Sequence, residues 1–232
     1  MQGKKILVVD DDFHARRLIE RSFTKAGAEV YTAGDGREGL RQFYAQRPEL
    51  VILDIMMPEL DGYETCRQIR MLSDVPVIML TALKDDEQII HGLECGADDF
   101  VTKPISGEVL VARVRAILRR SKPAFEAERR ITYNDGHMEV DLEAHRVNVE
   151  GEEVRLTPKE FQLLAYLIQN TGRARTFDQI LENVWGFEYQ GSMDYVHVYV
   201  SHLRGKIEKD PKNPLYIQSV HGVGYRFEKK AL

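Results

Sequence analysis

Short apolar runs alternate with amphipathic stretches through the first half of the chain. The runs lie at 6–9, 30–32, 50–53, 77–80 and 100–102. Between them apolar residues recur at helical spacing, as with Ala15, Leu18, Ile19 and Phe23 in the first stretch and Val109, Leu110, Val114, Ile117 and Leu118 in the last. Strands of continuous Val, Ile and Leu are shielded from water on both faces, the condition of a parallel sheet with helices on either side. Five such units predict a doubly wound α/β domain over residues 1–120. The stretch 121–130 has no apolar periodicity, carries Pro123, Glu126, Glu128, Arg129 and Arg130, and reads as a linker.

The second half opens on strict alternation: Met138, Val140 and Leu142, then Val147 and Val149, then Val154 and Leu156. Turn formers at Asp135-Gly136 and Glu150-Gly151-Glu152 separate these segments, so a small antiparallel sheet is expected. Thr157-Pro158-Lys159-Glu160 is a capping box with proline at the first helical position, and it launches the apolar face Phe161, Leu164, Ala165 and Ile168. Further helices are expected at about 177–185 and 193–208, the latter stopping before Pro211 and Pro214. Alternation returns at Tyr216 and Val220, and Gly222-Val223-Gly224-Tyr225-Arg226-Phe227 completes a hairpin pattern. Residues 131–232 are thus expected to form a second, α+β domain.

Composition adds limits. The chain is 43% hydrophobic and 30% charged, as in soluble globular proteins, and no apolar run approaches the length of a bilayer span. The N-terminus lacks a signal peptide's architecture, so a cytoplasmic location without a membrane partner is expected. Cys66 and Cys95 have no CxxC or metal-binding spacing and read as buried thiols. Residues 1–120 carry 17 Lys and Arg against 20 Asp and Glu, and the remainder 15 against 17. Neither half is basic, so nucleic-acid binding cannot be argued from bulk charge and has to come from local pattern.

In a parallel α/β domain, ligands bind at the carboxyl ends of the strands. Those ends hold Asp10 and Asp11, then Asp54, Thr81 and Lys103. Three converging carboxylates repel one another unless cations relieve them. A hard divalent ion such as Mg²⁺ and the Lys103 ammonium would do so, keeping Asp54 ionised and nucleophilic toward phosphorus. The Thr81 hydroxyl can hydrogen-bond a phosphoryl oxygen. Asp12 reads instead as the cap of a helix beginning near Phe13.

V-V-D-D-D, L-D-I-M-M-P-x-x-D-G, M-L-T-A and G-A-D-D-F-V-T-K-P resemble the receiver domain of two-component response regulators, over about residues 4–120. The resemblance implies a CheY-like fold with Asp54 as phosphoacceptor. It implies Mg²⁺ ligation by Asp11, Asp54 and the backbone carbonyl of Met56, with Asp10 helping through water. Thr81 and Lys103 match the switch hydroxyl and the phosphate-binding lysine. Lys103-Pro104 matches a peptide that is cis in the family, and Phe100 stands at the switch aromatic, commonly tyrosine. Met56 and Leu83, two positions after Asp54 and Thr81, are apolar and offer nothing to orient an attacking water, so a long-lived phosphorylated state is expected.

T-P-K-E-F-Q-L-L, V-W-G, H-L-R-G-K-I-E and G-V-G-Y-R-F resemble the OmpR/PhoB effector, over about 131–229. The implied fold is a winged helix-turn-helix whose third helix enters the major groove of double-stranded DNA. Candidate contacts are His197, Tyr199, Ser201, His202, Arg204 and Lys206 on that helix, His221 at the wing tip, and Arg173 and Arg175 before the second helix. Family members usually carry arginines where this chain has Asp194, His197, His202 and His221. Weak phosphate anchoring and a shallow salt dependence are therefore expected.

The resemblance also implies a homodimer of phosphorylated receivers through the fourth helix, fifth strand and fifth helix. Asp99 with Arg113 and Glu94 with Arg115 stand where ion pairs are expected, and Ile89 and Val109 replace a Lys–Glu pair. Implied partners are a sensor histidine kinase as phosphodonor, DNA, and RNA polymerase as a further candidate. Two other readings are a regulator that binds DNA without phosphorylation and a phosphatase using an aspartyl-phosphate. The latter needs D-x-D at its nucleophile, whereas Asp54 is followed by Ile55-Met56-Met57-Pro58.

Overall fold

A computed structural model describes residues 1–82, 86–120 and 132–229. The 121–130 stretch and Leu83 lie outside the described residues. The chain divides into two compact units, Met1–Ala124 and Phe125–Leu232.

In the first unit β1 (Lys5–Val9), β2 (Glu29–Ala33), β3 (Leu50–Asp54), β4 (Val77–Thr81) and β5 (Asp99–Thr102) alternate with α1 (Phe13–Lys25), α2 (Gly36–Gln46), α3 (Gly62–Arg70), α4 (Asp86–Glu94) and α5 (Gly107–Arg120). All strands are parallel, in the order β2-β1-β3-β4-β5. Every residue of β3 and β4 is buried, which is why their sequence is a continuous apolar run rather than an alternation. Ile19 and Phe23 of α1 join Leu110, Val114 and Ile117 of α5 in the core on one face of the sheet. Leu18, read as part of the α1 apolar face, is 58% exposed. A helix buries only the stripe that meets its neighbour, and Leu18 falls just outside it. Both cysteines are buried free thiols, and burial pushes Cys66 up to about 12.

The second unit begins with an antiparallel sheet of β6 (Thr132–Asn134), β7 (Met138–Asp141), β8 (Arg146–Val149) and β9 (Glu152–Glu153), in sequence order. Next come α6 (Pro158–Gln169), β10 (Arg175–Thr176), α7 (Phe177–Val184), a short 3₁₀ turn and α8 (Met193–Ile207). The hairpin β11 (Ile217–Val220) and β12 (Gly224–Phe227) closes the unit, with β10 on the free side of β12. The Thr157/Glu160 capping box starts α6 as expected. A second box, Thr176/Gln179, starts α7.

One buried carboxylate joins the first sheet to the closing hairpin. Asp135 accepts hydrogen bonds from the Tyr133 and Tyr216 hydroxyls (2.8 Å each) and from the Met138 and His137 amides. Burial alone would raise its pKa, but these four donors outweigh burial and hold it below the usual carboxylate value. A depressed folded-state pKa means the stabilisation is present above the unfolded value, near 4, and is lost as pH falls through the folded value. Acid titration of unfolding should show this unit losing stability below pH about 4, with a shallower loss in Asp135→Asn; identical slopes would contradict it.

Candidate functional site

In the first sheet the chain adds β2 on one side of β1 and β3 to β5 on the other, so a crevice opens at the carboxyl ends of β1 and β3. Val9 pairs with Leu53, which sets Asp10 beside Asp54. Carboxylate oxygens of Asp10, Asp11 and Asp54 lie within 4.8 Å of one another. Asp10 and Asp54 are buried, while Asp11 is exposed at the mouth. Lys103, just beyond β5, places its Nζ 2.8 Å from Asp10 Oδ2 and 2.5 Å from Asp54 Oδ1. Its amide donates to the carbonyl of buried Thr81 (2.6 Å), which fastens the end of β5 to that of β4. The Lys103–Pro104 peptide is cis.

Burial raises the pKa of Asp54, and the Asp10 and Asp11 charges add to this against the opposing pull of Lys103. Burial alone would lower Lys103, but its bonds to Asp10 and Asp54 prevail and hold the ammonium above its usual value. Three carboxylates against one ammonium leave two negative charges in the crevice. The donors are all hard oxygens with one side open to water, a set that fits a hydrated divalent cation. Asp12 caps α1 by accepting from the His14 and Ala15 amides, and those bonds hold its pKa low.

Two features of the first unit were not given a role from the sequence, one at the crevice and one at the opposite edge of the sheet. A Cβ on Gly62 would lie 2.2 Å from the Asp54 carbonyl oxygen, so only glycine lets α3 start so close behind the β3 end. Arg70 donates to Asp98 (2.6 Å) and to the carbonyls of Gly96, Val75 and Ser73, and Asp98 also accepts from the Val77 amide. That pair locks α3 and the α4–β5 turn to the start of β4. Phe100 is buried, and its ring leaves no room for a Cβ on Gly92 (2.1 Å). Met56 is 67% exposed.

On the α4–β5–α5 face, Val109 is 49% exposed and Ile89 half-buried. Asp99 is buried and its carboxylate lies 3.6 Å from Arg113 of the same chain, so this pair already forms within one protomer. Glu94 lies 3.9 Å from His91 one helical turn away, and Arg115 is exposed.

Among the expected DNA contacts, His197, Ser201, Lys206, Arg173 and His221 are exposed. Tyr199 is not: it is 3% exposed and packs edge-on against buried Trp185 at 5.1 Å, because α8 turns that face to the core. Arg204 donates twice to the Ile217 carbonyl (2.9 and 2.6 Å) and once to Ser219, so it fastens the hairpin to α8. Lys206 donates to the buried Glu160 carboxylate (2.6 Å) and to the Arg155 carbonyl; His202 lies 3.9 Å from Glu160. Arg175 sits in β10 and its guanidinium bonds Asn170. Side-chain direction, invisible in spacing alone, separates the residues bonded within the unit from those without such bonds.

Residues 6–115 match the family described as response regulator receiver domain, and 151–227 that described as transcriptional regulatory protein, C terminal. The chain is 45% identical to the probable transcriptional regulator ycf27 of Cyanophora paradoxa, covering 97% of this chain and 96% of that protein. It is 40% identical to the alkaline phosphatase synthesis transcriptional regulatory protein PhoP of Bacillus subtilis, covering 98% of each. The crystal structure of DrrB, a Thermotoga maritima OmpR/PhoB homologue, matches 98% of this chain and 100% of that one at 36% identity, with a TM-score of 0.52. With an acidic crevice at the end of a five-stranded parallel sheet and a DNA-binding unit following it in the sequence, the chain belongs to the OmpR/PhoB family of transcriptional response regulators.

Proposed function

We propose that this regulator accepts a phosphoryl group on Asp54 from a sensor histidine kinase and that the modified receivers pair to bring two DNA-binding units onto adjacent half-sites. The observation that carries the reading is the Lys103 ammonium lying against both Asp10 and Asp54 inside a cluster of three carboxylates. Lys103 occupies Asp54 Oδ1, leaving the second oxygen to attack phosphorus as the bond to the donor's histidine nitrogen breaks. Lys103 then offers its protons to the transferred oxygens, with the Thr81 hydroxyl a further donor. Asp10, Asp11 and Asp54, with the Met56 carbonyl, would hold Mg²⁺, which supplies electrostatic neutralisation of the phosphoryl oxygens when bound. Incubation with a small phosphodonor and Mg²⁺ should add one phosphoryl mass to a peptide containing Asp54 and tighten binding to selected DNA. No added mass would defeat the reading.

Pairing through α4, β5 and α5 rests on the exposed Val109 and half-buried Ile89, which offer apolar surface where charge is expected. In a two-fold interface each contact occurs twice. Ile89→Lys should weaken dimerisation of the phosphorylated protein by about tenfold or more, from the loss of two buried apolar contacts. Sedimentation equilibrium with phosphodonor would measure this, and an unchanged dimerisation constant would rule the contact out. RNA polymerase is a further candidate partner of the DNA-bound dimer.

A further inference from the structure

Among the described residues of α8, each Lys and Arg is bonded to a protein acceptor. Asp194, His197, Ser201 and Gly205 are exposed, and their spacing lines them along one side of the helix. The two basic residues in the last turn are committed elsewhere: Arg204 to Ile217 and Ser219, Lys206 to Glu160 and Arg155. His197 Nδ1 lies 2.8 Å from the Tyr225 hydroxyl, leaving Nε2 for an external partner. Asp194, in the first turn, has no hydrogen bond or ion pair with any described residue. A Cβ on Gly205 would meet nothing within 4 Å, so no internal packing accounts for a helix-weakening glycine there. A surface that comes close to the helix from outside would.

We propose that this stripe reads base edges without a guanidinium fork and that Asp194 is the specificity-determining residue, accepting a hydrogen bond from cytosine N4 in the major groove. The proposal rests on the DNA-binding reading of the second unit and deepens it. A carboxylate only accepts hydrogen bonds, so it needs an exocyclic amine. Adenine carries the N7 acceptor on its own ring beside the amine and repels the second carboxylate oxygen, whereas the ring of cytosine has only a C–H on that side of its amine. Against guanine and thymine Asp194 meets acceptors, and against adenine an acceptor beside the amine, next to a phosphate backbone that also repels it. Such a residue adds little affinity and discriminates by penalising wrong sequences. Residues at the start of a recognition helix are those that reach base edges, and Gly205 near the other end lets the backbone approach.

The test is selection from random duplexes by the full-length, phosphodonor-treated protein and its Asp194→Asn variant, followed by affinities for single-base changes. The wild type should require cytosine at one position of each half-site, with about a tenfold penalty for replacement, the scale of one base contact. Asp194→Asn should cut that penalty to about twofold or move the preference to adenine, which an amide can bind at N6 and N7, while binding to random duplex stays equal or tightens. The same base ranking for both proteins, or no cytosine requirement in the wild type, overturns the role of Asp194 alone. Failure of both to retain any duplex overturns the DNA-binding reading and the proposal with it.

Discussion

Asp54→Asn is expected to abolish phosphoryl incorporation from a small phosphodonor, by on the order of a thousandfold or more, the scale of deleting a covalent nucleophile. The amide nearly matches the carboxylate in shape, so the core around β3 should survive; circular dichroism and an unchanged melting transition would check this. What disappears is the charge that attacks phosphorus and that Lys103 holds at 2.5 Å. Removing divalent cations from the unaltered protein should produce the same loss, and adding Mg²⁺ back should restore the label. Without a cation the crevice keeps two uncompensated negative charges, which repel an incoming phosphate. Undiminished labelling of the variant, or labelling indifferent to chelation, would remove phosphate signalling from the account of this regulator.

The largest expected effect on stability belongs to Asp98. Asp98→Ala leaves the Arg70 guanidinium, whose side chain is 13% exposed, without its carboxylate. It also strips an acceptor from the buried Val77 amide. Breaking a buried pair from one side costs about 3–5 kcal/mol, because the surviving charge stays desolvated. For a domain of this size that is a fall in melting temperature on the order of 10–20 °C. Calorimetry of the full chain would resolve it, with the transition of the DNA-binding unit as internal reference. Adding Arg70→Met to Asp98→Ala should recover part of the loss, since the stranded charge is then gone. A penalty below about 1 kcal/mol in the single variant would mean that water reaches Arg70 and the clamp has been misjudged.

Legibility differed between the two units for a physical reason. In the receiver, strand, helix and site alternate strictly, so the residue after each apolar run must fall at the same edge of the sheet. That is why Asp10, Asp54, Thr81 and Lys103 could be assembled from the sequence, and the Val9–Leu53 pairing brings the first two side by side. Gly62 and Asp98 lie inside the quoted motifs, but their roles, and Arg70 as the partner of Asp98, escaped because the groups they meet belong to other elements and no periodicity links them. The Thr176/Gln179 cap of α7 was there to be read, since T-x-x-Q is a capping box.

On α8 the spacing was legible and the direction of each side chain was not. Periodicity fixes which residues share a face; it does not say whether that face meets Trp185, the β11–β12 hairpin or solvent. Tyr199 went to the core, Arg204 to Ile217, and Lys206 to Glu160.

By itself the sequence determined the order and type of the main elements, though not the two-residue β10 or the bounds of β9, and the chemistry at the strand ends. Those depend on local apolar period, capping residues and turns, which act between neighbours in the chain. Tertiary structure alone decided which cations are committed to protein acceptors and which side chains face outward. That choice is made by contacts between residues far apart in sequence, 46 positions for Glu160 with Lys206 and 28 for Arg70 with Asp98.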